Sequence, residues 1–337
     1  MPPGIIPVFV PHLGCPNDCV FCNQRQISGV LEPVTADDVT AAIELSLSLN
    51  AGRRGMELAF YGGSFTAIPA SEQEALLSAG LPFLRSGALG SVRVSTRPDA
   101  VDSEALARLR RFGVETIELG AQSMRDEVLS KSGRGHSSDD TRRAAELIRS
   151  AGFRLVLQMM TGLPGDDDEG AVYTALELIA LRPSAVRVYP TVIIRDTPLR
   201  ELWLRGEYSE HSVEDAVRVG ARVLPLFEAA GIPVIRYGLN PTEDLSGGAA
   251  VAGAYHPALG EMVRARVFRN RAEERLLQLE LAPGKRAELG VHPTKVSQMI
   301  GQKRENIGYL TERFGLSELR VSPEPDIAET EVLVLRY

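Results

Sequence analysis

Disulfides are the first thing this sequence cannot build. Its 337 residues contain three cysteines, all between positions 15 and 22, which excludes a secreted scaffold stapled by cross-links. No apolar run approaches the roughly 20 residues of a membrane-spanning helix, so no membrane association is expected. The opening stretch, Met1 to Val10, has neither a basic start nor a small-residue cleavage site, and a cytoplasmic protein is expected. Lysine is scarce: Lys131, Lys285, Lys295 and Lys303 are the only four, and arginine carries the rest of the positive charge. There are no internal repeats. What the chain does have is a 44% hydrophobic share with 24% charged residues, enough to bury a core and incompatible with global disorder. The length predicts one large α/β domain with a smaller companion.

The net charge of −7 argues against a surface coated for nucleic acid. Residues 261–313 run against that balance, with eleven basic residues to seven acidic ones.

Six apolar, β-branched runs have strand length: Ile5–Val10, Met56–Tyr61, Ser91–Thr96, Thr116–Gly120, Arg154–Met160 and Ala185–Tyr189. Segments of helical spacing separate them, and Pro233–Tyr237 offers a short seventh strand. Thr35, Ser71 and Ser138 are the expected helix caps. Such alternation predicts right-handed βαβ units and a parallel sheet. Periodicity fits either a doubly wound sheet or an open barrel, and side-chain parity favours the barrel. Arg93, Ser95 and Arg97, then Glu118, Gly120 and Gln122, then Gln158, then Arg187 and Tyr189 alternate with largely apolar residues. One face therefore meets helices and the other a polar interior, whereas a doubly wound sheet is apolar on both. The expected fold is α/β: a partial (β/α)6 TIM-like barrel over residues 1–240, a linker over 241–258, and a small basic α/β C-terminal domain over 259–337.

Cys15, Cys19 and Cys22 follow the first strand at C-x3-C-x2-C spacing in a loop bearing glycine and proline. Three thiolates in eight residues converge on one small centre, and a reducing compartment favours metal ligation over disulfides. On a four-iron cluster three ligands leave one iron open to a cofactor or substrate. The alternative is a Cys3His zinc site completed by His12.

The spacing, with Phe21 before the last cysteine, resembles the signature of radical S-adenosylmethionine (SAM) enzymes. The segments IPVFVPHLGCPNDCVFCNQ, FYGGSFTAIP, STRPD, ELGAQSMRDEVL, GRGH, QMMTGLPGD and VRVYPTVIIRDTPLRELW, running from Ile6 to Trp203, resemble the radical SAM module of the Elongator catalytic subunit, in particular its stand-alone bacterial relatives. The resemblance implies a [4Fe–4S] cluster on the three cysteines and reductive cleavage of SAM to a 5′-deoxyadenosyl radical. It implies SAM contacts from Gly62, Gly63, Ser64, Ser95, Gln122, Arg134 and Gln158, with Phe21, Leu163 and Tyr189 around the same pocket. It implies RNA, tRNA in particular, as substrate and a one-electron donor such as flavodoxin or ferredoxin. A small-molecule substrate of the coproporphyrinogen-oxidase kind is a second reading, since GAQS and GLPG recur there; a non-catalytic iron–sulfur RNA-binding protein is a third. Elongator-type proteins carry an acetyltransferase domain after the radical module. The 337 residues are expected to hold only the barrel and a small domain, leaving acetyl transfer to a separate protein or the enzyme to different chemistry. Finally, Met299–Ile307 resembles the glycine loop of a KH domain, with Arg304 at the second glycine, and implies RNA contacts from Lys295, Lys303 and Arg304.

Overall fold

The structure is a computed structural model and describes residues 4–10, 15, 19–23, 33–50, 55–239, 245–279 and 281–337. Its contacts divide into two compact units, Met1–Ser212 with Phe227–Tyr255, and Val213–Leu226 with His256–Tyr337.

The first unit is built on seven parallel strands: β1 (Ile5–Val10), β2 (Met56–Gly62), β3 (Leu89–Thr96), β4 (Val114–Gln122), β5 (Arg154–Thr161), β6 (Ala185–Pro190) and β8 (Val234–Tyr237). They lie side by side in that order. The helices between them are α1 (Ala36–Leu49), α2 (Ala70–Arg85), α3 (Ser103–Arg111), α4 (Asp126–Lys131), α5 (Ser138–Ser150) and α6 (Asp168–Ala180). The seventh strand is the one offered by Pro233–Tyr237, and it pairs with β6.

Strand parity decides the curvature. Val92, Val94, Ile117, Leu119, Leu155, Leu157, Val186 and Val188 are buried on the outer face. The inner face carries the polar set, and it closes on itself. β2 and β6 stand four positions apart, about 19 Å in a flat sheet. Yet Arg187 Nη2 on β6 donates to the Tyr61 hydroxyl on β2 at 3.0 Å. Only a sheet curled into a partial barrel brings those strands together.

Local signals set most helix starts. Thr35 caps α1 in a reciprocal box with Asp38. α5 begins one residue earlier than expected: Ser137, not Ser138, is the cap, because it pairs with Asp140 in the same box. Ser71 lies inside the first turn of α2, where Pro69 holds the cap position without a side-chain bond. Two further elements escaped the periodicity: β7 (Val192–Ile194), paired antiparallel with β9 (Ala250–Gly253), and α7 (Pro198–Leu204). Thus part of the stretch read as linker is a strand, while residues 240–244 lie outside the described residues.

The second unit includes most of α8 (Val213–Ala229), then α9 (Leu259–Leu277), β10 (Arg286–Val291), α10 (Val296–Ile300), α11 (Glu305–Arg313), β11 (Glu318–Pro323) and β12 (Val332–Arg336). β10 is central, parallel to β11 and antiparallel to β12. Phe268, Leu276, Leu289, Met299, Leu310 and Leu319 form its core.

Candidate active site at the C-terminal ends of the strands

Cys15, Cys19 and Cys22 follow β1, at the strand end where barrel active sites form. All three are free thiols, Cys19 buried and the others partly so. The Cys22 amide donates to the Cys19 carbonyl at 3.0 Å, closing a turn. The Val20 amide bonds Ser132 O at 3.1 Å and its carbonyl accepts from the Leu199 amide at 2.8 Å, so loops after β4 and β7 anchor the cysteine segment.

Two arginines face these sulfurs. Arg134 Nη1 donates to Cys19 Sγ at 3.2 Å and Nη2 to Gly120 O at 2.8 Å, while its buried Nε has no partner. Arg97, 3% exposed, bonds Asp99 through Nε at 2.9 Å and the Arg134 carbonyl through Nη2. Burial and then Cys19 push the Cys15 thiol up, and Arg97 and Arg134 pull it back. Side-chain parity puts Arg97 on the polar face of the third strand but gives it no role, and the structure sets it beside the cysteines. Three thiols beside two guanidinium groups fit an anionic iron–sulfur centre, whose sulfur ligands must be deprotonated. Among the described residues no three Cys, His, Asp or Glu side chains are gathered for a single metal ion. His12, the fourth ligand of the zinc alternative, lies outside the described residues.

The glycine element after β2 is built for close approach. Gly62 has φ +104°, and a Cβ there would stand 2.8 Å from Val10 O, so no other residue fits. The Gly63 amide donates to that same carbonyl at 2.9 Å. Ser64 behaves differently from the expectation. It is fully buried, its hydroxyl shared with Thr96 Oγ1 at 3.0 Å and accepting from the Arg97 amide at 3.3 Å. That side chain ties the end of β2 to β3.

Gln122 sits at a register shift between β4 and β5, with φ +63°. The bulge re-aims its side chain, which folds over Gly120, and its buried Oε1 has no partner. Phe21, Leu163, Met160, Val128 and Tyr189 form one apolar cluster, so three residues of the expected pocket do meet.

Below them lies a polar floor that the sequence reading did not single out. Fully buried Glu118 accepts from Arg93 Nη1 at 2.5 Å, Arg187 Nη2 at 3.0 Å and Gln158 Nε2 at 2.9 Å. Ser95 Oγ reaches it at 3.5 Å. Arg93 also binds Glu57 Oε2 through Nε at 3.0 Å and Nη2 at 2.7 Å. Gln158 and Ser95 are therefore bound to Glu118. Burial first, and Glu118 second, push the Tyr61 hydroxyl up to about 12.

His136 is buried beside Arg134, Nε2 against Ala121 O at 3.2 Å. Burial and then Arg134 lower it to about 4, so it stays neutral near pH 7. On the far side of the β5 loop, Asp166 lines a cavity of about 580 Å³ with Lys131, Tyr208 and His211. Burial raises Asp166 to about 6.

In the second unit, α10 and α11 are joined through Gly301-Gln302-Lys303-Arg304. Gly301, Lys303 and Arg304 have φ values of +74°, +49° and +64°. Arg304 thus takes the left-handed conformation that a second loop glycine would supply. Buried Asn306 Nδ2 fixes the turn by donating to Ala265 O at 2.8 Å, Met299 O at 3.1 Å and Gln298 O at 3.2 Å. Lys303 and Arg304 are exposed, and among the described residues neither meets an acidic partner. Lys295 departs from the expectation, because its Nζ is paired with Glu329 at 2.9 Å.

Among the described residues no helix is long and apolar enough to cross a membrane. The family model for the radical SAM superfamily matches residues 9–178, and that for the Radical_SAM C-terminal domain matches residues 183–269. The chain is 32% identical over 129 residues to a tRNA uridine(34) acetyltransferase of Methanocaldococcus jannaschii, covering 37% of this chain and 24% of that one. It is 33% identical over 138 residues to human Elongator complex protein 3, covering 40% and 25%. The chain thus spans about a quarter of the length of these curated relatives. The Methanocaldococcus infernus Elp3 structure superimposes with a TM-score of 0.63 at 22% identity, covering 79% of this chain and 63% of that one. The cysteines after β1, the glycine turn after β2 and strands β2 to β5 fall within the first matched segment, and β6 and β8 within the second. They agree with the family in chemistry and in fold, and this chain belongs to the radical SAM superfamily, enzymes that use a [4Fe–4S] cluster and SAM.

Proposed function

We propose that this enzyme modifies RNA, tRNA in particular, and that the second unit holds the RNA backbone. One observation carries the reading: a β10–α10–loop–α11–β11 unit whose loop begins at Gly301 and ends in two exposed cations without acidic partners. KH domains clamp single-stranded backbone with such a glycine loop between two helices. Two non-glycine residues held at positive φ cost about 1–2 kcal/mol each, a strain that a purely structural turn does not need. The names of the curated relatives, a tRNA uridine(34) acetyltransferase and Elongator complex protein 3, support the same substrate class.

When bound, the cluster and SAM together supply hydrogen-atom abstraction, the cofactor's own chemistry. The chain's residues would hold them. Cys15, Cys19 and Cys22 would ligate the cluster, for which a one-electron donor such as flavodoxin or ferredoxin would be the partner. The open backbone at Gly62 and Gly63 receives the SAM amino group, and Arg134 the carboxylate. Gln122 accepts from the ribose, and Phe21 and Leu163 wall the adenine. Ser95 and Gln158 act through Glu118, which holds the chamber floor.

Nucleoside mass spectrometry of tRNA from a strain lacking the gene tests the substrate class. The expected result is loss of one modified nucleoside, restored by the wild-type gene and not by a Cys19→Ala copy. An unchanged nucleoside profile overturns the reading.

A further inference from the structure

We propose that the inner face of the barrel carries an oxyanion-receiving site centred on Arg236, taking a phosphate or carboxylate of the substrate. The proposal goes beyond the RNA reading and does not require it, because the donors described below select an oxyanion whatever molecule carries it.

The inner face holds three guanidinium groups against two carboxylates. Arg93 is matched by Glu57 and Glu118, and Arg187 by Glu118. Arg236 is the third. It pairs in register with Arg187 across β6 and β8, so both side chains leave the same face of the sheet. It lies close enough to Tyr189 for its charge to favour ionisation of that hydroxyl. Part-buried, it makes no hydrogen bond or ion pair among the described residues. A half-buried cation without a counter-ion can take an anionic ligand, and here a second cation stands on the neighbouring strand.

Among the described residues, Arg187 and the two tyrosines it binds offer donors on the same side of the sheet. Arg187 donates to both tyrosines, through Nη1 to Tyr189 at 3.4 Å and Nη2 to Tyr61 at 3.0 Å. Each phenol oxygen therefore accepts inward, and its own proton is left to donate. Arg187 Nε is buried and has no partner. Two phenols, one Nε–H and one whole guanidinium give this face a set of donors and a positive charge. The ligand that satisfies such a set has several acceptor oxygens and a negative charge.

The test uses the full chain with its cluster reconstituted and oxidised, saturated with SAM so that no turnover occurs. Isothermal titration with inorganic phosphate, and separately with acetate, reads anion binding. The expected result is saturable binding of at least one of them. Affinity should fall about tenfold or more in Arg236→Gln, as for a lost charged hydrogen bond, and stay within about threefold in Arg236→Lys, which keeps the charge. Arg205→Gln, at an exposed helix end, should bind as wild type. Phosphate preference points to a nucleotide phosphate and acetate preference to a carboxylate; either supports the site. Three results overturn it: neither anion binds the wild type, Arg236→Gln binds as well as wild type, or Arg236→Gln loses SAM affinity by the same factor. In gel shifts Arg236→Gln should hold tRNA as wild type does. Failure of the anion site therefore leaves the RNA reading standing, and failure of the RNA reading leaves this one.

Discussion

Arg134 Nη1 stands 3.2 Å from Cys19 Sγ, and the same side chain keeps a buried Nε without a partner. One guanidinium thus faces a proposed cluster ligand and keeps a free donor for the proposed SAM site. Arg134→Gln should assemble its cluster, judged by iron and sulfide content, yet change two readouts together. The midpoint potential should move negative by about 60 mV for each 1.4 kcal/mol of lost attraction, and SAM affinity should fall about tenfold or more. An unchanged potential with lowered SAM affinity would confine Arg134 to the cofactor.

Cys19→Ala removes a proposed cluster ligand that is itself buried. The purified variant should lose its acid-labile sulfide and its formation of 5′-deoxyadenosine together. Retained cleavage would contradict the ligand assignment.

Among the described residues, Glu118 is the one acceptor shared by buried Arg187 and half-buried Arg93. Removing one member of such a cluster leaves charge uncompensated and costs about 3–5 kcal/mol. Glu118→Ala should therefore lower the urea midpoint of the barrel strongly. Glu118→Gln keeps the shape and one acceptor oxygen and should lose less. Equal midpoints in both variants would show that the floor does not support the fold.

The loop cations make a salt prediction. Lys303→Glu with Arg304→Glu should weaken tRNA binding and flatten its salt dependence by about two in the slope of log affinity against log salt. Lys295→Gln should change neither, since Glu329 already neutralises that lysine. An Arg304→Gly variant should gain stability from released backbone strain and lose only its own share of the slope.

Two buried groups pull the pH dependence of stability in opposite directions. His136, lowered from 6.5 to about 4, binds fewer protons folded than unfolded in that window. Its contribution is present above pH 6.5 and lost as pH falls through 4, roughly 3 kcal/mol in all. Asp166, raised from 3.8 to about 6, does the reverse: its contribution is present below pH 3.8 and lost as pH rises through 6. In denaturation series from pH 7 to 4, His136→Phe should be less acid-sensitive than wild type and Asp166→Asn more so. Parallel curves for the two variants would refute the opposition.

Much of this site is legible from one-dimensional pattern. Alternation along β3 to β6 places Arg93, Glu118, Gln158 and Arg187 on a common face, and the cysteine spacing indicates the cluster. Which of those inward side chains meet depends on how tightly the sheet curls, a property of the whole barrel. Hence Gln158 was read as a cofactor contact when it binds Glu118. Ser64 was read the same way, yet Thr96, its partner, stands on the next strand. Parity gives Arg97 a polar face but no role, because the Arg134 carbonyl it binds belongs to a distant loop that only the fold brings near. Lys295 was counted as a free cation for want of any local sign of Glu329.

A sheet that curls without closing has no hydrogen bonds across its seam to hold its radius. Here the polar floor acts as an internal hoop, tying β2, β3, β4, β5 and β6 through Glu57, Arg93, Glu118, Gln158 and Arg187. It leaves the edge strands β1 and β8 outside the hoop. The same side chains set both the radius of the barrel and the base of its chamber, so neither can be redesigned alone. New specificity is best sought in rim residues such as Tyr189, and substitutions in the hoop will alter shape and selectivity together.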